Sequence, residues 1–141
     1  MNRIKVPRDL QDWNDAGEGH LPGLLGMEFT LISDDEVRAR MAVRKSLLAW
    51  NGFLHGGSLV AFADTACGYG TVKSLPADAV GFTTLELKSN FLGTARDGYI
   101  ECLATPVHKG RTTQVWDASV SSEGSAKAIA QFRCTQLILR S

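Results

Sequence analysis

Cysteine is scarce in this chain and oddly counted. Only Cys67, Cys102 and Cys134 occur among 141 residues. They stand far apart, and no Cys-x-x-Cys or Cys/His cluster exists, so no metal-ligand set is expected and a disulfide framework is disfavoured. All three lie in apolar segments, where buried free thiols in a reducing compartment are the plain expectation. Charge of neither sign prevails: fifteen Lys and Arg balance fifteen Asp and Glu, which gives no support for a nucleic-acid surface. No apolar run approaches the roughly 18 residues needed to span a bilayer. The start, MNRIKVPRDLQDWND, is charged and lacks the apolar core of a signal peptide. Internal repeats and low-complexity linkers are missing as well. What is there is 44% hydrophobic residues, enough for one domain over residues 1–141 with a real core. A cytoplasmic enzyme or binding protein, without nucleic-acid or membrane partners, is expected.

Residues 1–20 read as an N-terminal arm holding a short polar helix or loop over 7–19, and GHLPGLLG as a turn. Met27 to Ile32 reads as a strand stopped by Ser33-Asp34-Asp35. In EVRARMAVR, Val37, Ala39, Met41 and Val43 alternate with arginines, the mark of a half-buried strand. SLLAWNGFLHGG is a glycine-rich loop. From Gly57 to about Lys73, within 57–74, the pattern predicts one helix roughly 25 Å long. Four strands are predicted after it, over 80–91, 98–108, 112–121 and 125–139. The short glycine-bearing breaks between them favour antiparallel neighbours. The fold class is therefore α+β: an antiparallel sheet wrapped around one long central helix. Leu59, Val60, Ala61, Phe62, Ala63, Ala66 and Cys67 make that helix apolar nearly all round. One small sheet cannot cover every face, so a second subunit is expected on the rest.

One carboxylate interrupts the helix. Asp64 has Val60, Ala61, Cys67 and Gly68 as its three- and four-residue neighbours, and none can pair with it. An unpaired buried acid is costly and its pKa is pushed up, which makes it a functional candidate. His55-Gly56-Gly57 stands where the helix begins, so free N–H groups and the positive end of the helix dipole can hold a developing oxyanion. A tight loop-to-helix joint would use the same residues. Gly56 and Asp64 are eight residues, or roughly 12 Å, apart along a helix. Two such helices packed antiparallel about a two-fold axis would bring Asp64 of one to Gly56 of the other.

The motif HGGSLVAFADTA resembles the His-Gly-Gly and helical acid of the hotdog-fold acyl-CoA thioesterases, above all the phenylacetate-degradation group and the 4-hydroxybenzoyl-CoA type. HLPGLLGMEF, TLELKSNFLGTARDG and HKGRTTQVWDASV are similar to that family's first strand, third strand with its turn, and next hairpin. The resemblance implies a hotdog fold and an acyl-CoA substrate, with no cofactor beyond the coenzyme A that the substrate carries. It implies a homodimer with shared sites, assembled into a homotetramer. It makes Asp64 the catalytic carboxylate, either attacking the thioester or activating water. The Gly56 N–H would hold the carbonyl oxygen, Gly57 would open the helix, and His55 would orient the loop or contact the substrate carbonyl. Thr84 or Thr83 would position the water. Ala49 departs from the family's amide at that place, for which Asn51 is the nearby substitute. Gly93-Thr94 departs from the Arg-Pro that relatives carry. For the coenzyme A phosphates, Lys109, Arg111 and Arg96 lie in hairpin turns. Trp50 and Phe53 flank the motif as candidates for the acyl pocket, core or interface, whereas Trp116 alternates with Ala118 and Val120 as a core residue should.

Three rival readings rest on other residues. His20-Leu21-Pro22-Gly23 is similar to a dehydratase motif but precedes the first strand, and Asp12-Trp13-Asn14 begins like a hydratase motif without the His that should follow. A non-catalytic acyl-CoA-binding protein of the same fold would not need Asp64. A serine or cysteine hydrolase would need a base beside Ser58 or Cys67 and, for the serine, a strand-to-helix elbow that this chain lacks.

Overall fold

A computed structural model describes residues 1–141. Six strands form a single antiparallel sheet around one long helix. The elements are α1 (Leu10–Asp15), α2 (Leu21–Leu25), β1 (Met27–Ile32), β2 (Val37–Ala42), a 3-10 turn (Lys45–Leu47), α3 (Gly56–Lys73), β3 (Gly81–Phe91), β4 (Tyr99–Lys109), β5 (Thr113–Ser122) and β6 (Ala128–Leu139). The strand order is β1-β2-β4-β5-β6-β3, with every neighbour antiparallel. The expected strands thus hold to within a few residues. No helix is long and apolar enough to cross a membrane.

The sheet curls around α3, which touches all six strands. Leu59, Phe62, Ala63, Ala66 and Cys67 are buried against the inner sheet face, and Trp116 is wholly inside, as its alternation predicted. All three cysteines are buried free thiols. Burial pushes the Cys102 thiol up to about 12, so it is inert as a nucleophile.

The arm is more than polar filler. Asp9 caps α1 by accepting from the Asp12 N–H at 2.9 Å. Trp13 is buried and packs on Tyr69 of α3, whose ring also stacks on Phe29 of β1 at 4.4 Å. Asn14 clamps β1 from both sides: its Nδ2 donates to the Phe29 carbonyl (3.0 Å) and its Oδ1 accepts the Phe29 N–H (2.8 Å). Asp12-Trp13-Asn14 is therefore an anchor of the fold, which removes it as a hydratase motif. GHLPGLLG closes into the short α2, ended by Gly26 at φ 73°.

Three glycines of α3, Gly56, Gly68 and Gly70, lie against side chains of the sheet. At Gly70 a Cβ would sit 2.6 Å from Trp116 Cζ3. The indole cannot retreat, because it is fully buried and its Nε1 donates to Gln114 Oε1 at 2.8 Å. Alanine at position 70 gains about 1 kcal/mol of helix propensity but overpacks the core. Gly70→Ala is expected to cost about 3 kcal/mol net and to lower Tm by roughly 10 °C, read by thermal unfolding. A stabilised variant would show that the ring moves freely.

Candidate active site

The start of α3 differs by one residue from the expected 57, and the shift matters. His55 is the N-cap, and its Nδ1 accepts the Gly57 N–H at 2.8 Å. The imidazole therefore keeps its proton on Nε2. Gly57, expected to open the helix, instead has its N–H taken by this cap. Gly56 is the first helical residue, and its N–H makes no hydrogen bond within the chain. A free donor at the positive end of an 18-residue helix suits an anionic oxygen. Gly56 is also where a side chain would intrude, since a Cβ there would lie 3.0 Å from Phe91 Cζ.

In front of Gly56 lies a cavity of about 500 Å³, lined by Ala49, Asn51, Phe53, Leu54, His55, Gly56, Leu59, Phe91, Gly93 and Thr94. Its walls are mostly apolar. Thr94 Oγ1 accepts the Leu54 N–H (2.9 Å) and Asn51 Oδ1 accepts the Phe53 N–H (3.1 Å), so both brace the loop between β2 and α3. Ala49 contributes only a methyl. Phe53 turns into this cavity while Trp50 stands fully in solvent.

Asp64 is not among the lining residues. It lies two turns further along α3, on the same side of the helix. At about 100° per residue, Gly56, Asp64 and Gly68 fall within roughly 120° of one another. Gly56 and Gly68 meet β3 at Phe91 and Phe82. The Asp64 side chain faces that edge of the sheet. Its Oδ1 is buried with no hydrogen-bond partner, and desolvation alone pushes its carboxyl above the usual aspartate range. The structure therefore separates the donor and the acid within one chain, as their spacing requires.

The two threonines part company. Phe82, Thr84, Leu87 and Phe91 pair with Ile138, Gln136, Cys134 and Ala130, all buried, so they lie on the inner face. A bulge at Leu85 shifts the inward positions from even to odd numbers along the strand. Thr84 faces α3 and donates its hydroxyl proton to Gln136 Oε1 at 2.6 Å. Thr83 is exposed and pairs with Leu137 on the outer face, away from α3.

The basic residues also separate. The Arg96 guanidinium sits 5.1 Å over the Phe53 ring, at the rim of the cavity. Lys109 and Arg111 are at the far end of β4, about 30 Å away by strand length. There Lys109 donates to the Asp34 carbonyl and the Arg111 carbonyl accepts from Arg140. The three cannot serve one ligand within a single chain. No three His, Cys, Asp or Glu side chains gather around a point that a metal could occupy.

The thioesterase superfamily profile matches residues 51–129, the stretch from the cavity loop through α3 into β6. This chain belongs to the thioesterase superfamily. The assignment makes it a hydrolase with a hotdog fold. A protein of Escherichia coli K12 named 1,4-dihydroxy-2-naphthoyl-CoA hydrolase is 32% identical over 133 residues, covering 92% of this chain and 94% of that one. A Listeria monocytogenes protein of the same name is 30% identical, covering 79% and 89%. Among solved structures, a mutant of the thioesterase PA1618 from Pseudomonas aeruginosa covers the whole of both chains with a TM-score of 0.89 at 28% identity. Within this thioesterase, the residues that sequence reasoning missed are Phe91 and Thr94, which line the cavity, and Gln136, which holds Thr84.

Proposed function

We propose that this thioesterase hydrolyses an acyl-CoA with a small aromatic or a short- to medium-chain acyl group, at sites shared between two copies of the chain. The observation that carries the reading is the Asp64 carboxylate: desolvated, with an unpartnered oxygen, on a helix that offers it no cation. Such an acid finds its use at a reacting carbon, either attacking the thioester or drawing a proton from water. The Gly56 N–H of the other copy holds the carbonyl oxygen as it becomes an oxyanion. His55 keeps that donor free by capping Gly57 instead. The apolar cavity at Gly56 takes the acyl group. Its Phe53 and Phe91 rings, together with the naphthoyl-CoA relatives, favour an aromatic one.

The second copy has an obvious seat. β3 is an edge strand with large apolar side chains in solvent: Leu85 at 57%, Leu87 at 41% and Phe91 at 52% exposure. An exposed apolar edge invites another strand. Pairing β3 with its copy about a two-fold axis extends the sheet and sets the two α3 helices antiparallel. It also brings Lys109 and Arg111 of one copy toward the Arg96 end of the other, where coenzyme A phosphates would lie. Two such dimers form the proposed tetramer.

The test is a panel of benzoyl-, phenylacetyl-, naphthoyl-, hexanoyl- and acetyl-CoA, with thiol release followed colorimetrically. Turnover is expected to be fastest for an aromatic thioester and to be abolished by Asp64→Ala. A protein that binds these thioesters without releasing thiol would instead be an acyl-CoA-binding module. Hydration of an enoyl-CoA without thiol release would mark a dehydratase-type enzyme.

A further inference from the structure

Two glutamines are fully buried in the sheet, Gln136 at 0% and Gln114 at 1% exposure. They are cross-strand partners on β6 and β5, and Gln136 in turn pairs with Thr84 on β3. Gln114 has a structural duty: its Oε1 accepts from Trp116 Nε1 and Ser74 Oγ, fastening the end of α3 to β5. Gln136 has no such duty. Its Oε1 receives the Thr84 hydroxyl, and its Nε2 faces only the soft Cys134 sulfur at 3.5 Å. A leucine or methionine would fill this place between Cys134 and Ile138 without the cost of burying an amide. The amide is spent on Thr84.

Its effect is to fix the direction of one proton. The 2.6 Å separation belongs to an O–H···O bond and is shorter than N–H···O bonds usually are. An amide oxygen has no proton to give, so Thr84 is the donor. The threonine then presents only lone pairs toward α3. Thr84 is two residues from Phe82, the side chain that meets Gly68, and Asp64 is one helical turn from Gly68. Among the inner-face hydroxyls of β3 it is therefore the one beside Asp64, while Ser89 lies toward the Gly56 end.

We propose that Gln136 is a positioning residue for the hydrolysis: by holding Thr84 as a pure acceptor, it orients the attacking water. One water hydrogen bonds to Thr84 Oγ1 and the other to the Asp64 carboxylate. The water's lone pair is thereby turned to the thioester carbon. Its oxygen forms the new C–O bond as Asp64 takes the proton. Collapse of the tetrahedral intermediate breaks the C–S bond, and the departing thiolate recovers that proton as the coenzyme A thiol. The inference rests on the proposed thioesterase site and decides for water activation over direct attack by Asp64.

The test is a double-mutant cycle on the whole enzyme with the best aromatic acyl-CoA. Thr84→Val and Gln136→Met are each expected to lower kcat about tenfold with KM within about twofold, the worth of one oriented hydrogen bond. The double variant is expected to be no slower than the worse single one, because Gln136 acts only through Thr84. Multiplying losses would overturn the proposal and make Gln136 a packing residue. Wild-type kcat in either single variant, or a loss confined to KM, would overturn it too. Should Gln136→Met not fold, neutron diffraction on the unaltered protein decides. A deuteron on Thr84 Oγ1 pointing at Gln136 Oε1 supports the proposal, and an amide deuteron pointing at Thr84 overturns it. An active Asp64→Asn variant would sink the thioesterase site itself, a failure separate from any result on Gln136.

Discussion

Asp64→Asn is expected to lose about a thousandfold or more in kcat for thioester hydrolysis, and yet to be more stable than the unaltered protein. The two effects share one cause. A carboxylate in this place has one oxygen shut off from water with no partner, so it is held ready to take a proton, and general bases of that kind contribute on the order of 10²- to 10⁴-fold. The same desolvation is a folding cost that the neutral amide avoids. The sign of the pH dependence follows. The Asp64 pKa in the folded chain is raised above the ordinary aspartate value of 3.8. Below that ordinary value the acid is protonated whether the chain is folded or not, and nothing is lost. As pH rises through the raised folded value, the unfolded chain releases the proton more readily, and the stability contributed by Asp64 disappears. The advantage of the asparagine variant should therefore be absent at the acid end and full at neutral pH, read by urea unfolding across that span. The kcat/KM of the unaltered enzyme should rise with pH along a limb lying above 3.8, since only the ionised acid acts as base or nucleophile. An asparagine variant that keeps a tenth of the activity, or that is less stable at neutral pH, would remove Asp64 from the mechanism.

Much of this fold is legible in the sequence because its signals are local. The breaks LGTARDG, HKGR and SSEG are too short for crossovers, so they fix four antiparallel neighbours. The lone Asp64 stands out because the residues that could pair with it are all apolar. Other features depend on partners distant in sequence. Trp13 is one apolar ring in a polar stretch, and only Tyr69, 56 residues on, shows that it is an anchor. The start of α3 falls one residue before its expected place because its cap is an imidazole, not one of the short oxygen-bearing side chains that usually mark a helix start. Thr83 and Thr84 could not be separated along TTLELKSNF because the bulge at Leu85 breaks the alternation that would have told inside from outside. For Gln136 the signal was present: Phe132, Cys134 and Ile138 share its parity on β6, and a polar residue at an inward position of an otherwise apolar face needs a partner. Lys109, Arg111 and Arg96 look alike as turn cations, and only the length of β4 separates them.

The division of the site between two chains makes a prediction of comparable size. Gly56→Pro is expected to fold and to lose about 10²- to 10³-fold in kcat, because it deletes the N–H itself. The substitution suits its surroundings: Gly56 is the first helical residue, its N–H has no partner within the chain, and proline is at home there. His55 before it is already extended, at φ −63° and ψ 133°, as a residue preceding proline prefers. A Cβ at this position meets only the Phe91 ring, a half-exposed side chain of an edge strand that can yield. Mixing then separates a shared site from a private one. When Gly56→Pro and Asp64→Asn chains are co-expressed with different tags, the mixed dimer combines the intact Asp64 of the first with the intact Gly56 of the second. One of its two sites is whole and the other carries both lesions. Random pairing at equal amounts makes half the dimers mixed, so about a quarter of the wild-type activity should return. If donor and acid served the same chain's site, every chain in the mixture would carry one lesion and the mixture would stay as inactive as its parents.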